Sequence, residues 1–127
     1  MGWLYEPDEQ PKRKHFWREP FAGTVEVQGT LVSKCPSTLS TQVAQAMLDN
    51  GIEWQPHRGW RNDYPQRIYA VAEGVVYRAT PTNPGRSYHG FPELPGHVPP
   101  DRDLQGAIIE LARSDGSEKE VERWLRQ

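Results

Sequence analysis

Two β-prone runs, Arg67-Ile68-Tyr69-Ala70-Val71 and Val75-Val76-Tyr77-Arg78-Ala79-Thr80, are separated only by Ala72-Glu73-Gly74. A separation that short leaves antiparallel pairing as the one way to join two strands, so a hairpin must lie at the centre of the fold. Pro81-Thr82-Asn83-Pro84-Gly85 then marks a turn, after which Arg86-Ser87-Tyr88-His89-Gly90-Phe91 returns as a third strand beside the hairpin. With 127 residues there is chain for one modest core and not for two.

Helices are expected on both sides of this hairpin in the sequence. Ser37 or Thr38 is placed to cap a helix whose apolar positions Leu39, Val43, Ala46 and Met47 share one side, and Asn50-Gly51 supplies its stop. Leu104, Ala107, Ile108 and Leu111 have the i, i+3, i+4, i+7 spacing of an amphipathic helix that begins near Asp101 and ends at Gly116. Ser117 with Glu120 forms the pattern of a capping box for a last helix carrying Val121, Trp124 and Leu125. Thr24 to Val32 predicts a strand or short hairpin, Trp54 to Pro65 a long loop, and Pro92, Pro95, Pro99 and Pro100 a rigid crossover. The expected architecture is α+β: a small antiparallel sheet, made of the central hairpin plus a third strand, packed on one face against an N-terminal helix and two C-terminal helices. Residues 1–22, which mix Trp3, Tyr5, Phe16 and Trp17 with three prolines and Lys12-Arg13-Lys14, read as an irregular arm before a single domain of residues 23–127.

Composition narrows the function. A mean hydropathy of −0.82 and 25% charged residues exclude a membrane channel or carrier, since no stretch approaches the ~18 apolar residues of a span. A basic region followed by an apolar run is missing at the N-terminus, so no secretory signal is expected. Cys35 is the only cysteine, which forbids an intramolecular disulfide and makes a reducing compartment, the cytoplasm, the simpler assumption. Its place beside Lys34 before a helix suggests a nucleophile, yet nothing in the context supplies the orienting Asn or Asp of a cysteine hydrolase. The four histidines lack helical ligand spacing, so neither a metal nor another cofactor is called for.

The overall charge of −2 hides an asymmetry. Residues 54–92 hold five arginines against Asp63 and Glu73, whereas residues 93–127 hold eight acidic and five basic side chains. Arginine forks bind phosphate in bidentate fashion, so a local phosphate site is plausible. A sequence pI near 6.1 argues against a large nucleic-acid footprint. Chemistry-bearing residues concentrate at Arg78, Thr80, Thr82, Asn83, Arg86, Ser87, Tyr88 and His89, which the turn folds together. Histidine titrates near neutrality and a neighbouring arginine stabilises an oxyanion or phosphorane, a pairing suited to phosphodiester cleavage without metal. His89, Arg78 and Thr82 are the catalytic candidates; Arg86, Tyr88, Ser87, Trp60 and Arg61 are candidates for holding phosphate or ligand. Trp54, His57, Arg58, Trp60 and Arg61 interleave aromatic and basic side chains as single-strand binding sites do, although tryptophans also anchor cores. The competing readings are ordinary surface arginines and a histidine satisfied within the sheet.

Three segments together, Ala44-Gln45-Ala46-Met47-Leu48-Asp49-Asn50-Gly51-Ile52, Gly74-Val75-Val76-Tyr77 and Thr82-Asn83-Pro84-Gly85-Arg86-Ser87-Tyr88-His89-Gly90, resemble the C-terminal toxin domains of bacterial polymorphic toxins. More narrowly, the stretch is similar to the barnase and colicin ribonuclease group, in which a helix precedes a strand pair and a T-x-P-G-x-Y/F-H-G type segment. The resemblance spans roughly residues 40 to 115. It implies metal-independent cleavage of RNA, tRNA among the substrates, through attack of a 2′-hydroxyl on the adjacent phosphate. It further implies His89 as acid or base, Thr82 as a polar group holding phosphate, and an immunity or inhibitor protein as partner. The alternative class is a non-catalytic phage or mobile-element protein that sequesters a nucleotide or blocks a partner protein, using the same arginines and aromatics. A scaffold acting through the arm and Trp124 is a third.

Overall fold

The computed structural model describes residues 3–6, 23–27, 30–34, 40–56, 59–60 and 62–127. Cys35, Ser37, Thr38, Leu39, His57, Arg58, Arg61 and the run Lys12-Arg13-Lys14 lie outside the described residues. Strands run at Leu4–Tyr5 (β1), Gly23–Val27 (β2), Thr30–Lys34 (β3), Ile52–Trp54 (β4), Arg67–Ala72 (β5), Val75–Asn83 (β6) and Ser87–Pro92 (β7). Helices occupy Thr41–Asp49 (α1), Arg102–Asp115 (α2) and Glu118–Leu125 (α3), with a 3-10 turn at Pro95–His97. The main sheet has the order β1-β7-β6-β5-β4, and β2 and β3 form a separate two-stranded antiparallel sheet.

The central hairpin is as expected, with Ala72 opposite Val75 across a two-residue turn. Both turn residues, Glu73 (φ 52°) and Gly74 (φ 79°), are left-handed, the geometry whose twist matches that of the flanking strands. Asp115 at the end of α2 accepts a hydrogen bond from the Glu73 amide (3.0 Å). The next turn comes later than the prolines suggest. Instead of turning at Pro81, β6 continues to Asn83, and the turn occupies Pro84 to Arg86 with Gly85 at φ 81°. Pairing between β5 and β6 ends at Ile68 and Ala79, so beyond Ala79 the strand has β7 as its paired neighbour, and proline is tolerated at such an edge. A register shift between Pro81 and Asn83 leaves Thr82 as a bulge.

Two further strands were not foreseen. β4 pairs antiparallel with β5, and β1 pairs parallel with β7, Leu4 opposite Ser87 and Tyr5 opposite Tyr88. A two-residue edge strand is too short to show a period, which is why the segment reads as irregular.

The helices divide between the two faces of the sheet rather than sharing one. Ile68, Ala79, Tyr88 and Tyr5 bury against Ala44 and Leu48 of α1. On the opposite face, Tyr69 and Val76 pack with Val98, with Leu104, Ile108 and Ala112 of α2, and with Val121 of α3. Ile68 and Tyr69 are neighbours in β5 and both are buried, so that strand must be covered on both sides.

Within α1 the buried side is Ala44 and Leu48, with Val43 and Ala46 exposed, one step round from the expected side. Gln45 explains the rotation: its amide accepts from the Tyr5 backbone N–H (2.7 Å) and donates to the Trp3 carbonyl (2.8 Å), so it must face β1. Ser40 is the cap, accepting from the Val43 amide (3.1 Å). A side chain at Gly51 would bring Cβ within 2.5 Å of Ile68 Cγ2 and 2.9 Å of the Tyr69 carbonyl, so α1 can meet the sheet this closely only through a glycine. Asp101 caps α2 through the amides of Asp103 and Leu104, and Gly116 ends it at φ 83°. The capping box at α3 is not formed. The Ser117 hydroxyl donates to Asp115 and caps no helix amide.

Candidate functional site

Strand geometry brings the principal candidates together. Across the β6–β7 pair, Arg78 stands opposite Phe91 and Thr80 opposite His89, so all four point to one face, the face that carries Tyr69 and Val76. The Arg78 guanidinium lies over the Phe91 ring at 4.7 Å from its centroid, and the His89 ring is 6.1 Å from the same ring. Phe91, buried, is therefore a common wall for the imidazole and the guanidinium.

His89 is held at both ring nitrogens. Nε2 is 3.1 Å from Thr80 Oγ1 and Nδ1 is 2.8 Å from Thr82 Oγ1. Thr82, two residues along β6 from Thr80, stands at the bulge on the same side of the sheet and meets the second ring nitrogen. Thr82 also donates to the backbone carbonyl of Glu6 (2.9 Å). Its single hydrogen is thus spent on the chain and not on a phosphate.

Arg78 sits beside Glu93, whose side chain is 1% exposed. Nε is 3.4 Å from Glu93 Oε2, within ion-pair range, yet this buried nitrogen makes no hydrogen bond. The contact is electrostatic and its direction is poor. Burial lowers the Arg78 pKa, the Glu93 charge opposes that effect, and the guanidinium stays cationic. The same carboxylate accepts from the Tyr69 hydroxyl (3.1 Å) and from the Leu94 amide (3.0 Å). Arg67 donates to the Tyr69 oxygen and the His97 carbonyl, both at 2.9 Å, and stacks 5.4 Å from the Trp54 ring centroid. Burial, the largest influence, pushes the Tyr69 hydroxyl up to about 12, against the pull of the Arg67 hydrogen bond. The result is a cluster in which a buried carboxylate and a buried neutral phenol meet two partly exposed guanidinium groups, continuous with the Arg78–His89 pair.

The other candidates fall elsewhere. Tyr88 is fully buried on the α1 face, donates to the Pro65 carbonyl (2.6 Å) and meets Trp3 edge-on; burial raises its pKa, and it belongs to the core rather than to a ligand. Ser87 is 1% exposed and donates to Glu6 Oε1 (2.7 Å), which makes it a fastener of the N-terminal segment. Arg86 is exposed in the turn. Trp60 donates to the Tyr64 carbonyl (2.7 Å) and packs edge-on against the Tyr64 ring, within the loop that Tyr88 ties down. Arg61 lies outside the described residues.

Sequence reasoning passed over Glu93, Tyr69 and Glu6. Glu93 had one legible signal, a lone carboxylate between Phe91-Pro92 and Leu94-Pro95. Glu6 had none, because its partners Thr82, Asn83 and Ser87 are more than seventy residues away. Among the described residues, no group of three or more His, Cys, Asp or Glu side chains is arranged to hold a metal, and no helix is long and apolar enough to cross a membrane. No model of a known family, no curated protein and no solved structure matches the chain, so its site has to be argued from its own residues.

Proposed function

We propose that the chain is a toxin-type endoribonuclease of the barnase and colicin ribonuclease kind, which cleaves RNA without a metal. The observation that carries this reading is the pairing of His89 and Arg78 against one Phe91 ring on a single sheet face. In the reaction, His89 takes the proton of a 2′-hydroxyl, and the 2′ oxygen attacks the adjacent phosphorus. The bond from phosphorus to the 5′ oxygen breaks, leaving a 2′,3′-cyclic phosphate, and the departing oxygen takes up a proton from water. Arg78 stabilises the negative charge that develops on the phosphoryl oxygens. Such an enzyme works in the cytoplasm of its own or a target cell and calls for an immunity or inhibitor protein as partner.

One observation favours the alternative of a nucleotide-sequestering protein. Both His89 nitrogens lie at hydrogen-bond distance from threonine hydroxyls, which occupies the groups a proton-transfer role would need. Incubating the protein with total tRNA and a single-stranded RNA in EDTA, beside His89→Ala, separates the two. Cleavage that His89→Ala loses supports the enzyme. Intact RNA in both lanes, with binding weakened by Arg78→Ala and unaffected by His89→Ala, supports sequestration.

A further inference from the structure

The contacts of Glu6 with β6 and β7 fix more about His89 than its position. The Glu6 carbonyl oxygen can only accept, and it lies 2.9 Å from Thr82 Oγ1. The hydrogen in that contact must come from the threonine, which has only one to give. Toward His89 Nδ1, 2.8 Å away, Thr82 Oγ1 therefore acts as an acceptor, and Nδ1 must carry a hydrogen. A neutral imidazole with hydrogen on Nδ1 has its lone pair on Nε2, where the Thr80 hydroxyl at 3.1 Å donates to it.

The far end of this relay is fixed in turn. The Glu6 amide donates to the Tyr88 carbonyl (2.8 Å) and the Leu4 amide to the Arg86 carbonyl (3.1 Å), which is the parallel pairing of β1 with β7. The Glu6 carboxylate accepts from Ser87 Oγ (2.7 Å) and Asn83 Nδ2 (2.5 Å). Backbone and side chain of one residue thus hold the carbonyl at a set distance from Thr82.

We propose that the segment Leu4–Glu6 and Thr82 form a positioning relay, His89 Nδ1–H to Thr82 Oγ1–H to the Glu6 carbonyl, which holds neutral His89 in the Nδ1–H tautomer and makes Nε2 the atom that exchanges protons with substrate. Its catalytic meaning rests on the ribonuclease reading, whereas the tautomer itself does not. Thr82 and Glu6 are positioning residues here. Thr80 lies on the reactive side, its hydroxyl turning from Nε2 when a substrate hydroxyl arrives.

The test is a long-range 1H–15N correlation spectrum of the full chain labelled with 15N-histidine, recorded at a pH where no imidazolium signal remains. His89→Gln identifies the His89 signals among the four histidines. The relay predicts that in the unsubstituted protein Nδ1 resonates as a protonated, pyrrole-type nitrogen and Nε2 as a pyridine-type one. Thr82→Val should collapse that difference toward the averaged or reversed pattern, Thr82→Ser should restore it, and Thr80→Val should leave Nδ1 protonated. In the cleavage assay Thr82→Val should lower the rate by up to about a hundred-fold, the low end of what a general base supplies, and Thr82→Ser should recover most of it. An Nε2–H or averaged pattern in the unsubstituted protein overturns the relay, as does an unchanged pattern in Thr82→Val. An Nδ1–H pattern in a protein that leaves RNA intact upholds the relay and removes the ribonuclease reading alone.

Discussion

The two faces of the central sheet are built from alternate residues of the same strands and do opposite things. Ile68, Ala70, Tyr77, Ala79 and Tyr88 line the side covered by α1, where the buried polar tip of Tyr88 is answered by the Pro65 carbonyl. Their neighbours Arg67, Tyr69, Arg78, Thr80 and His89 point the other way. There the apolar contacts with α2 and α3 at Tyr69 and Val76 give way to Glu93, Arg78, Thr80 and His89 within the length of two strands. One face is specified by volume, the other by the partners of its charges. A small domain that covers both sides of its sheet still keeps one end of one side for polar groups.

The comparison breaks most visibly where the second face is purely apolar. Ile108 is fully buried among Tyr69, Val76 and Leu104. Ile108→Ala should destabilise the fold by about 4 kcal/mol through lost burial and the cavity left behind, read as a fall in the urea midpoint with unchanged slope. A loss below about 1 kcal/mol would mean that α2 is not packed there as described.

Charge is the next test. Arg78→Met leaves Glu93 buried with Arg67 still 3.8 Å away, and should cost about 3 kcal/mol, the cost of breaking a buried pair from one side. Adding Glu93→Gln should return a large part of that loss, so that the double variant is more stable than Arg78→Met alone. If the two losses simply add, the groups are not coupled.

Smaller still is an alkaline effect confined to the polar face. Tyr69 ionises near 10 in the unfolded chain and at about 12 in the fold. The folded state therefore holds its phenolic proton longer. Its contribution is complete below pH 10 and is lost as the pH climbs through 12, amounting to at most about 3 kcal/mol. Urea midpoints measured across that window should fall less steeply for Tyr69→Phe than for the unsubstituted protein. Equal slopes would contradict the burial of the hydroxyl.

Much of this architecture is legible in local sequence because local chemistry decides it. The Glu73-Gly74 turn, the Asp101 cap and the Gly116 stop each depend on residues within a few positions of one another. The rotation of α1 was not legible, since the amide that sets it, Gln45, is bonded to Trp3 and Tyr5 forty residues away. Placing all helices on one face failed for a related reason: strand alternation shows which residues part company at Ile68 and Tyr69, but not that both sides will be covered. At the site, His89, Arg78, Thr80 and Thr82 are grouped by the short β6–β7 turn. Tyr69 and Glu6 enter through sheet register and long-range pairing, which no local pattern encodes, and Glu93 shows only as a lone carboxylate in an apolar, proline-flanked stretch.

The most direct test sets two neighbours on β7 against each other. RNA would be incubated in EDTA with the unsubstituted protein, with His89→Ala on the polar face and with Tyr88→Phe on the apolar one, and the product ends examined by mass spectrometry. The account predicts fragments ending in 2′,3′-cyclic phosphate from the unsubstituted protein and from Tyr88→Phe, and none from folded His89→Ala. Equal cleavage by His89→Ala, or intact RNA with the folded unsubstituted protein, would contradict it.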